Sequence, residues 1–567
     1  MKYIYLLFLF PFIGCKTDKE PIADLIIHNG QIATMDSNES MVKALAVADG
    51  KVIARGTDEE ILEMRNKTTH VINANQNFVM PGFIESHGHF SGLGSSLQNL
   101  NFLRSRSWEE IVAMVGEKVL ESEKGEWIIG RGWHQEKWVR VPEEHIHGYP
   151  FHDELSEISP DNPVLLFHAS GHAAFANKVA MDIAGVNRET PNPAGGEIVR
   201  DPQGNAIGVF EERAQNVIRR AYQEFLEGLS EEEKLDRWYE GIDLATQECL
   251  KKGVTSFQDA GSSLEWIDRY RGLAEERKLG LRLWVMIRHG SEYLKDKLDP
   301  FPWVDIGDGF LTVRAIKSEV DGALGSFGAW LLEPYADKPD FMGQNTSQIE
   351  EVAAIANLAN QHGLQLCVHA IGDRANKVVL NLFEEEYNRN PSSDLRWRIE
   401  HAQHLDTADI SRFGALGVIA SMQGIHCTSD APYVEKRLGP QRAKYGSYPW
   451  RSLLNSGAVI CNGTDAPVED VDPIESFYAT VTRKRSDNGF EFYPEQVMTR
   501  MEALHSYTTA GAYAAFEEET KGSLEVGKVA DIVVLTNNLL TCSDSEILDT
   551  KVLVTIVNGE IKYQKED

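Results

Sequence analysis

Phe78-Val79-Met80-Pro81-Gly82-Phe83-Ile84-Glu85-Ser86-His87-Gly88-His89 carries an apolar run into two histidines one residue apart. The run from Phe78 to Glu85 is short and apolar, which predicts a buried strand. Residues two apart in an extended chain point the same way, so His87 and His89 can converge on one point beyond the strand's carboxyl end. Neutral imidazoles are common metal ligands, but histidines that only hydrogen-bond or face solvent are commoner still. The pair alone does not choose between these; its place in the fold does.

Seven further short apolar strands follow, separated by helix-like stretches: Val254 to Gln258, Leu281 to Ile287, Leu311 to Lys317, Leu364 to His369, Arg396 to His401, Val418 to Met422 and Val459 to Asp465. Eight strands alternating with helices predict an α/β fold of the TIM type, a (β/α)8 barrel over residues 81–515. In such barrels the chemistry sits at the carboxyl ends of the strands. Four more strands end in groups suited to it: Lys317, His369, His401 and Asp465. One histidine at a strand end arises easily by chance, whereas suitable groups on strands one, four, five, six and eight are hard to obtain from core packing. Asp465 also has a simpler reading, as a turn residue of Gly463-Thr464-Asp465-Ala466-Pro467 whose side chain caps the next segment. The gap between the first two strands requires a large insertion, about residues 95–245, rather than a plain loop.

Both chain ends have a different texture. Leu25-Ile26-Ile27, Gln31 to Met35, Ala44 to Val47 and Lys51 to Ala54 are short strands punctuated by Asn29-Gly30 and Asp49-Gly50, which are hairpin signals. Ala530 to Leu535 and Val552 to Gly559 repeat the pattern. The expectation is one small β-sandwich shared by residues 22–80 and 516–567, since the entropic cost of joining remote ends grows only logarithmically with loop length.

Composition narrows the partners. Against 86 Asp+Glu stand 56 Lys+Arg, a net charge of −30, which repels a phosphate backbone and argues against nucleic acid. A hydrophobic share of 42% is that of a globular chain and excludes general disorder. The six cysteines lack any CxxC spacing, so neither a thiolate zinc site nor a disulfide framework is indicated. Acidic runs such as Glu231-Glu232-Glu233 and Glu384-Glu385-Glu386 suit solvated helix faces. Cys15 is a separate matter. Met1-Lys2 precedes the apolar run Ile4 to Ile13, too short to span a bilayer but suited to a signal-peptide core. The run ends in Ile13-Gly14-Cys15 before the charged Lys16-Thr17-Asp18-Lys19-Glu20. This resembles a bacterial lipoprotein processing site, with residues 1–15 as leader and Cys15 lipidated; an ordinary signal peptide and an uncleaved anchor are the alternatives. The expected location is the cell envelope, with the lipid as the only membrane contact.

The order His-x-His, Lys, His, His, Asp on an eight-stranded barrel flanked by a split sandwich resembles the metal-dependent amidohydrolase superfamily. Lys317 to Ser326, His369-Ala370-Ile371-Gly372-Asp373-Arg374-Ala375, Glu400-His401-Ala402-Gln403 and Gly463-Thr464-Asp465-Ala466-Pro467-Val468 resemble its amidohydrolase-3 branch, which includes N-substituted formamide deformylases. Gly522 to Asp531 is similar to the superfamily's return into its sandwich. The resemblance implies that His87 and His89 hold one divalent metal and His369 and His401 a second. It also implies that Lys317, carboxylated by carbon dioxide, bridges the two. An ammonium cannot ligate a cation, but a carbamate can, and a buried lysine has the depressed pKa that carboxylation requires. The alternatives are a salt bridge from Lys317 to Glu319 or Asp321, and Glu319 as the bridging ligand. Asp465 would touch one metal, take the proton of the attacking water and pass it to the leaving amine. Zinc suits histidine, carboxylate and carbamate ligands; iron or manganese would also fit. The first motif has Glu85 and Gly88 where the family frequently has Asp and Thr, and neither position is a ligand.

Two insertion segments, Trp127 to His134 and Val164 to His172, are similar to stretches of this branch that approach the site. His172 would bind substrate or satisfy a loop carbonyl. Trp133, with Trp108, Trp127 and Trp138, would wall an apolar pocket or belong to a core. Asp373 and Arg374 are expected to pair and brace their loop. The resulting expectation is an exported hydrolase that uses one or two divalent metals to cleave a non-peptide C–N bond, an amide or N-substituted formamide, in a small molecule. Hydrolysis of an ester or cyclic amide on the same site, and a binding relative without turnover, are the alternatives. Loops set specificity, so the motifs leave the acyl group, the amine and the oligomeric state open.

Overall fold

The structure, a computed structural model, describes residues 22–566 except 103–104, 136–137, 141, 169–172, 194–195, 326, 390 and 392–393. The leader with Cys15, and His172, lie outside the described residues. The chain forms two compact units. One is built from residues up to 87, 249–465 and 469 onward, the other from 88–248 and 466–468.

The first unit contains a nearly closed, mostly parallel barrel whose strands neighbour one another in chain order. They are β1 (Phe83–Gly88), β2 (Val254–Ser262), β3 (Arg282–Ile287), β4 (Leu311–Glu319), β5 (Gln365–Ala370), β6 (Arg398–His401), β7 (Ile419–Gln423) and β8 (Ile460–Gly463). A short strand, Trp303–Asp305, pairs antiparallel with β4. Helices alternate with the strands because the intervening sequence has helical apolar spacing and capping residues. Ser263, for example, accepts the Trp266 N–H at the start of Leu264–Glu275, a helix that buries Ile267, Tyr270 and Leu273.

Strands from both chain ends meet in one six-stranded sheet, where Ile532–Leu535 pairs antiparallel with Phe78–Pro81. A four-stranded sheet holds Leu25–His28, Ala44–Ala48, Lys51–Gly56 and His70–Asn73. Leu25, Ile27 and Leu45 from the second sheet share a core with Val79, Ile532 and Ile556 from the first. The expected single strand from Phe78 to Glu85 is thus two. Phe78–Pro81 belongs to the end sheet and β1 begins only at Phe83. Proline supplies no amide to the ladder, and the chain changes sheets at Gly82, whose N–H donates to the Asp531 carbonyl at 3.0 Å while that of Phe83 donates to Gly253 at 3.0 Å. A Cβ on Gly82 would lie 2.2 Å from the Thr255 side chain. Arg282 at the start of β3 grips Asp531 through Nε at 2.8 Å and a second guanidinium nitrogen at 3.2 Å, both side chains being buried.

The second unit has its own six-stranded sheet, ordered Gly196–Arg200, Ala206–Glu212, Ala173–Ala176, Val164–His168, Ile128–Trp133 and Leu100–Asn101. Alternation along its strands divides apolar side chains between two cores: Leu166 and Phe175 enter one, Leu165 and Ala174 the other. Of the two readings, pocket wall or core, Trp133 takes the second in the structure. It is 0% exposed, packs edge-on to Phe175 and Tyr149, and donates its indole N–H to the Leu166 carbonyl at 2.8 Å. Both its apolar surface and its polar handle are satisfied internally, so this ring is core. Among the described residues no helix is long and apolar enough to cross a membrane.

Candidate metal centre

Beneath the strand ends lies a fully buried charged chain. Arg398 and Glu400, two apart on β6, form an ion pair at 2.8 Å. The Arg398 guanidinium also donates to Gln258 Oε1 at 2.5 Å, the Ser86 carbonyl at 2.6 Å and Ser421 Oγ at 2.8 Å. Burial opposes ionisation of Glu400, but Arg398 and His87 outweigh it and hold the carboxyl well below the usual carboxylate range. The other Glu400 oxygen bonds His87 Nδ1. An imidazole whose Nδ1–H is taken by a carboxylate presents the Nε2 lone pair outward, the arrangement seen around protein metal ions.

Above this chain, His87 Nε2 lies 3.6 Å from Asp465 Oδ1. Ligand atoms of His87, His401 and Asp465 fall within 4.8 Å of one another, a group of the size a metal ion requires. The His401 ring centroid is 4.6 Å from that of His87 and 4.4 Å from that of His369. Gln423, at the end of β7, takes His401 Nδ1 at 2.8 Å, doing for His401 what Glu400 does for His87. Burial, reinforced for His87 and His369 by the nearby Lys317, pushes these imidazoles down, to about 4 for His87 and about 3 for His369. Burial and the charges of His369 and His87 likewise hold His401 well below its ordinary value. All three are therefore neutral at physiological pH, the form that ligates metal.

Two backbone features bring the strand ends together. Gly463 allows β8 to approach β1, since a Cβ there would stand 2.2 Å from Glu85 Oε1 and 2.6 Å from the His87 nitrogen. Glu85 then clamps the two strands: it accepts from the Thr464 N–H at 2.8 Å, the Thr464 hydroxyl at 3.0 Å and the His87 N–H at 3.1 Å. Its complete burial pushes its carboxyl up to about 8 against those three donors. His401 and Asp465 hold left-handed backbone angles, φ 74° and 59°, a strain of about 1–3 kcal/mol per non-glycine residue that proteins concentrate at functional sites.

Lys317 is 4% exposed and its pKa is lowered by burial. Neither expected salt-bridge partner takes it. Glu319 pairs with Arg288 at 2.5 Å, and Asp321 accepts the backbone N–H groups of Trp330, Ile371 and Gly372 at 2.8–2.9 Å. His369 Nε2 is 3.8 Å from Asp321 Oδ1 and makes no hydrogen bond among the described residues. His89 belongs to the second unit, where it precedes the helix Phe90–Leu97 and its N–H donates to Ala466 at 2.7 Å. Asp373 and Arg374 brace their loop, though not by pairing charges. The Asp373 carboxylate accepts the N–H groups of Leu332 and Arg374, and the guanidinium donates to the Leu331 and Leu332 carbonyls. Sequence reasoning overlooked the supporting residues Arg398, Glu400, Gln423 and Glu85. The signal for the first two is visible: Arg398 and Glu400 lie two apart and so face one way on a barrel strand.

The amidohydrolase family profile of the amidohydrolase-3 type matches residues 70–563. The protein LONG AFTER FAR-RED 3 of Arabidopsis thaliana is 32% identical over 96% of this chain and 92% of its own. An N-substituted formamide deformylase of Arthrobacter pascens is 27% identical over 96% of this chain and 98% of its own. Among solved structures, an uncharacterized metal-dependent hydrolase of Pyrococcus horikoshii OT3 superposes with a TM-score of 0.71 at 27% identity, covering 92% of this chain and 99% of that one. The chain belongs to the amidohydrolase family, in its amidohydrolase-3 branch, and is a hydrolase.

The support given to His401 can be measured. Gln423→Met keeps the side-chain volume and removes the bond to Nδ1. It should weaken metal affinity about 10–100-fold in a chelator competition assay with thermal unfolding unchanged; wild-type affinity would show that Gln423 does not orient the ligand.

Proposed function

We propose that this protein uses divalent metal, zinc in the first instance, to hydrolyse a non-peptide C–N bond, an amide or N-substituted formamide, of a small molecule. The observation that carries the reading is the convergence of His87, His401 and Asp465 at barrel strand ends, beside a buried lysine that makes no ion pair among the described residues. These donors fit zinc: neutral imidazoles with anchored Nδ1 atoms, and a carboxylate. His369 completes the ligand set. Lys317, carboxylated, supplies oxygen donors to the same centre. The relative that is an N-substituted formamide deformylase, matched along nearly its whole length, supports the choice of bond.

When bound, the metal would polarise the scissile carbonyl and make water acidic enough to attack near neutral pH. The chain's own groups do the rest. Asp465 receives the proton of the attacking water and delivers it to the leaving nitrogen, a transfer its position beside His87 Nε2 permits. Glu400 and Gln423 fix the tautomers of His87 and His401, and Glu85 holds the Asp465 turn against β1. The net charge of −30 favours a neutral or cationic substrate and disfavours nucleic acid. We further propose that the leader is removed up to Gly14, so that the mature chain begins at Cys15, and that a lipid on Cys15 tethers the enzyme in the cell envelope.

Zinc-reconstituted protein offered a panel of N-formyl and N-acyl amines should release amine, and the metal-free protein should not; release of alcohol from esters alone would contradict the choice of bond. Asp465→Asn should retain metal while turnover falls by about 10²–10⁴-fold, and wild-type turnover would remove its role as base. Lys317→Ala should lose metal and activity, and short carboxylic acids such as formate or propionate should restore part of both. Absence of rescue, with metal occupancy unchanged, would remove the carbamate. Cys15→Ala should move the protein from the detergent-phase membrane fraction to the soluble one; an unchanged partition would exclude the lipid anchor.

A further inference from the structure

The seventh strand, to which sequence reading assigned no chemistry, lies between the strands that carry His401 and lead to Asp465. It runs directly into a short helix, Gly424–Ser429, that carries His426. This side chain is 7% exposed, and its ring lies nearly parallel to that of His401, 14° apart with centroids 6.3 Å away. Its orientation and tautomer are set from behind. Gln403 Nε2 lies 3.3 Å from His426 Nδ1 and 3.1 Å from the Tyr448 hydroxyl. The Tyr448 hydroxyl donates to Asp430 Oδ2 at 2.6 Å, and the Tyr433 hydroxyl donates to the other Asp430 oxygen. An amide nitrogen can only donate, so Nδ1 must accept and the imidazole proton sits on Nε2.

That Nε2–H is buried and has no hydrogen-bond partner among the described residues. Glu469 is coupled to His426 through its charge but makes no hydrogen bond with it, and both oxygens of Asp430 are committed to the tyrosines. Buried donors are nearly always satisfied, and an exception calls for an explanation, of which a functional role facing a ligand is one. Among the described residues His404 Nε2 is a further buried nitrogen of this kind, and His369 Nε2 is another that is itself a candidate ligand. We infer that His426 is a substrate-contacting residue whose Nε2–H donates to an oxygen on the acyl carbon of the substrate. Its ring lies beside that of the candidate ligand His401, which puts the donor near the reacting end of a substrate, where the oxygen on the acyl carbon is the acceptor that gains charge during attack. Asp430, Tyr448 and Gln403 act as positioning residues behind it. This inference rests on the metal-dependent reading of the site.

The alternative role for His426 is to fill space against His401, and a phenylalanine ring would do that equally well while removing the donor. The test compares zinc-loaded wild type, His426→Phe and His426→Gln, with zinc content measured by elemental analysis. Binding of methylphosphonate, a tetrahedral anion whose oxygens mimic those on an acyl carbon under attack, is measured by titration calorimetry. Zinc content should be equal in all three. The dissociation constant should rise on the order of 10–100-fold in His426→Phe, as expected for one hydrogen bond to a charged group, and His426→Gln should recover most of the loss. Should His426→Phe fail to fold, His426→Met is the donor-free variant. Equal dissociation constants at equal zinc content, or no methylphosphonate binding by zinc-loaded wild type, would overturn the role of His426. Failure of the wild type to take up zinc would overturn the metal-dependent reading and this inference with it.

Discussion

The Arg398–Glu400–His87 chain is the constraint on which the rest of the site depends. Removing two charges from water is costly, and a buried pair is tolerated only when its geometry and remaining hydrogen bonds are good. Arg398 meets that condition by tying strand β6 to β1, β2 and β7 through Ser86, Gln258 and Ser421. The pair therefore sets the relative heights of four barrel strands. Because Glu400 is kept ionised, it orients the His87 ring, and with it one corner of the candidate centre.

The same desolvation that makes the charged chain expensive keeps the imidazoles neutral and lowers the pKa of Lys317. One physical cause thus acts on both kinds of group, the ring nitrogens and the buried amine. The close approach of β8 through Gly463 and the left-handed turns at His401 and Asp465 then place these groups. Hydrogen bonds at the clamp, including those from Thr464 to Glu85, offset the local strain.

Much of this was legible in the sequence because strand ends in a (β/α)8 barrel are fixed by simple patterns. Short apolar runs located all eight strands, and the residues closing them included His87, His401 and Asp465, the three the structure gathers into one group. What escaped was whatever depends on partners distant in sequence. Pro81-Gly82 reads locally as part of a strand, yet the chain changes sheets there because Asp531 and Gly253 offer acceptors on different sides. Trp133 has the composition of a pocket wall, and only the packing around it shows a core. The clamp by Glu85 and the tautomer-fixing bond of Gln423 join residues 379 and 22 positions apart, so neither has a local signature. Arg398 and Glu400 are the instructive case, since two charges on the same face of a central strand are a sign of a buried pair.

The central claim, that this barrel builds a metal centre on His87, His401 and Asp465, is tested most directly by anomalous diffraction at the zinc edge from crystals of the zinc-loaded protein. The account predicts an anomalous peak at about 2.0–2.1 Å from His87 Nε2 and His401 Nε2, with the Asp465 carboxylate in contact. A zinc-loaded crystal with no peak at these side chains would contradict it.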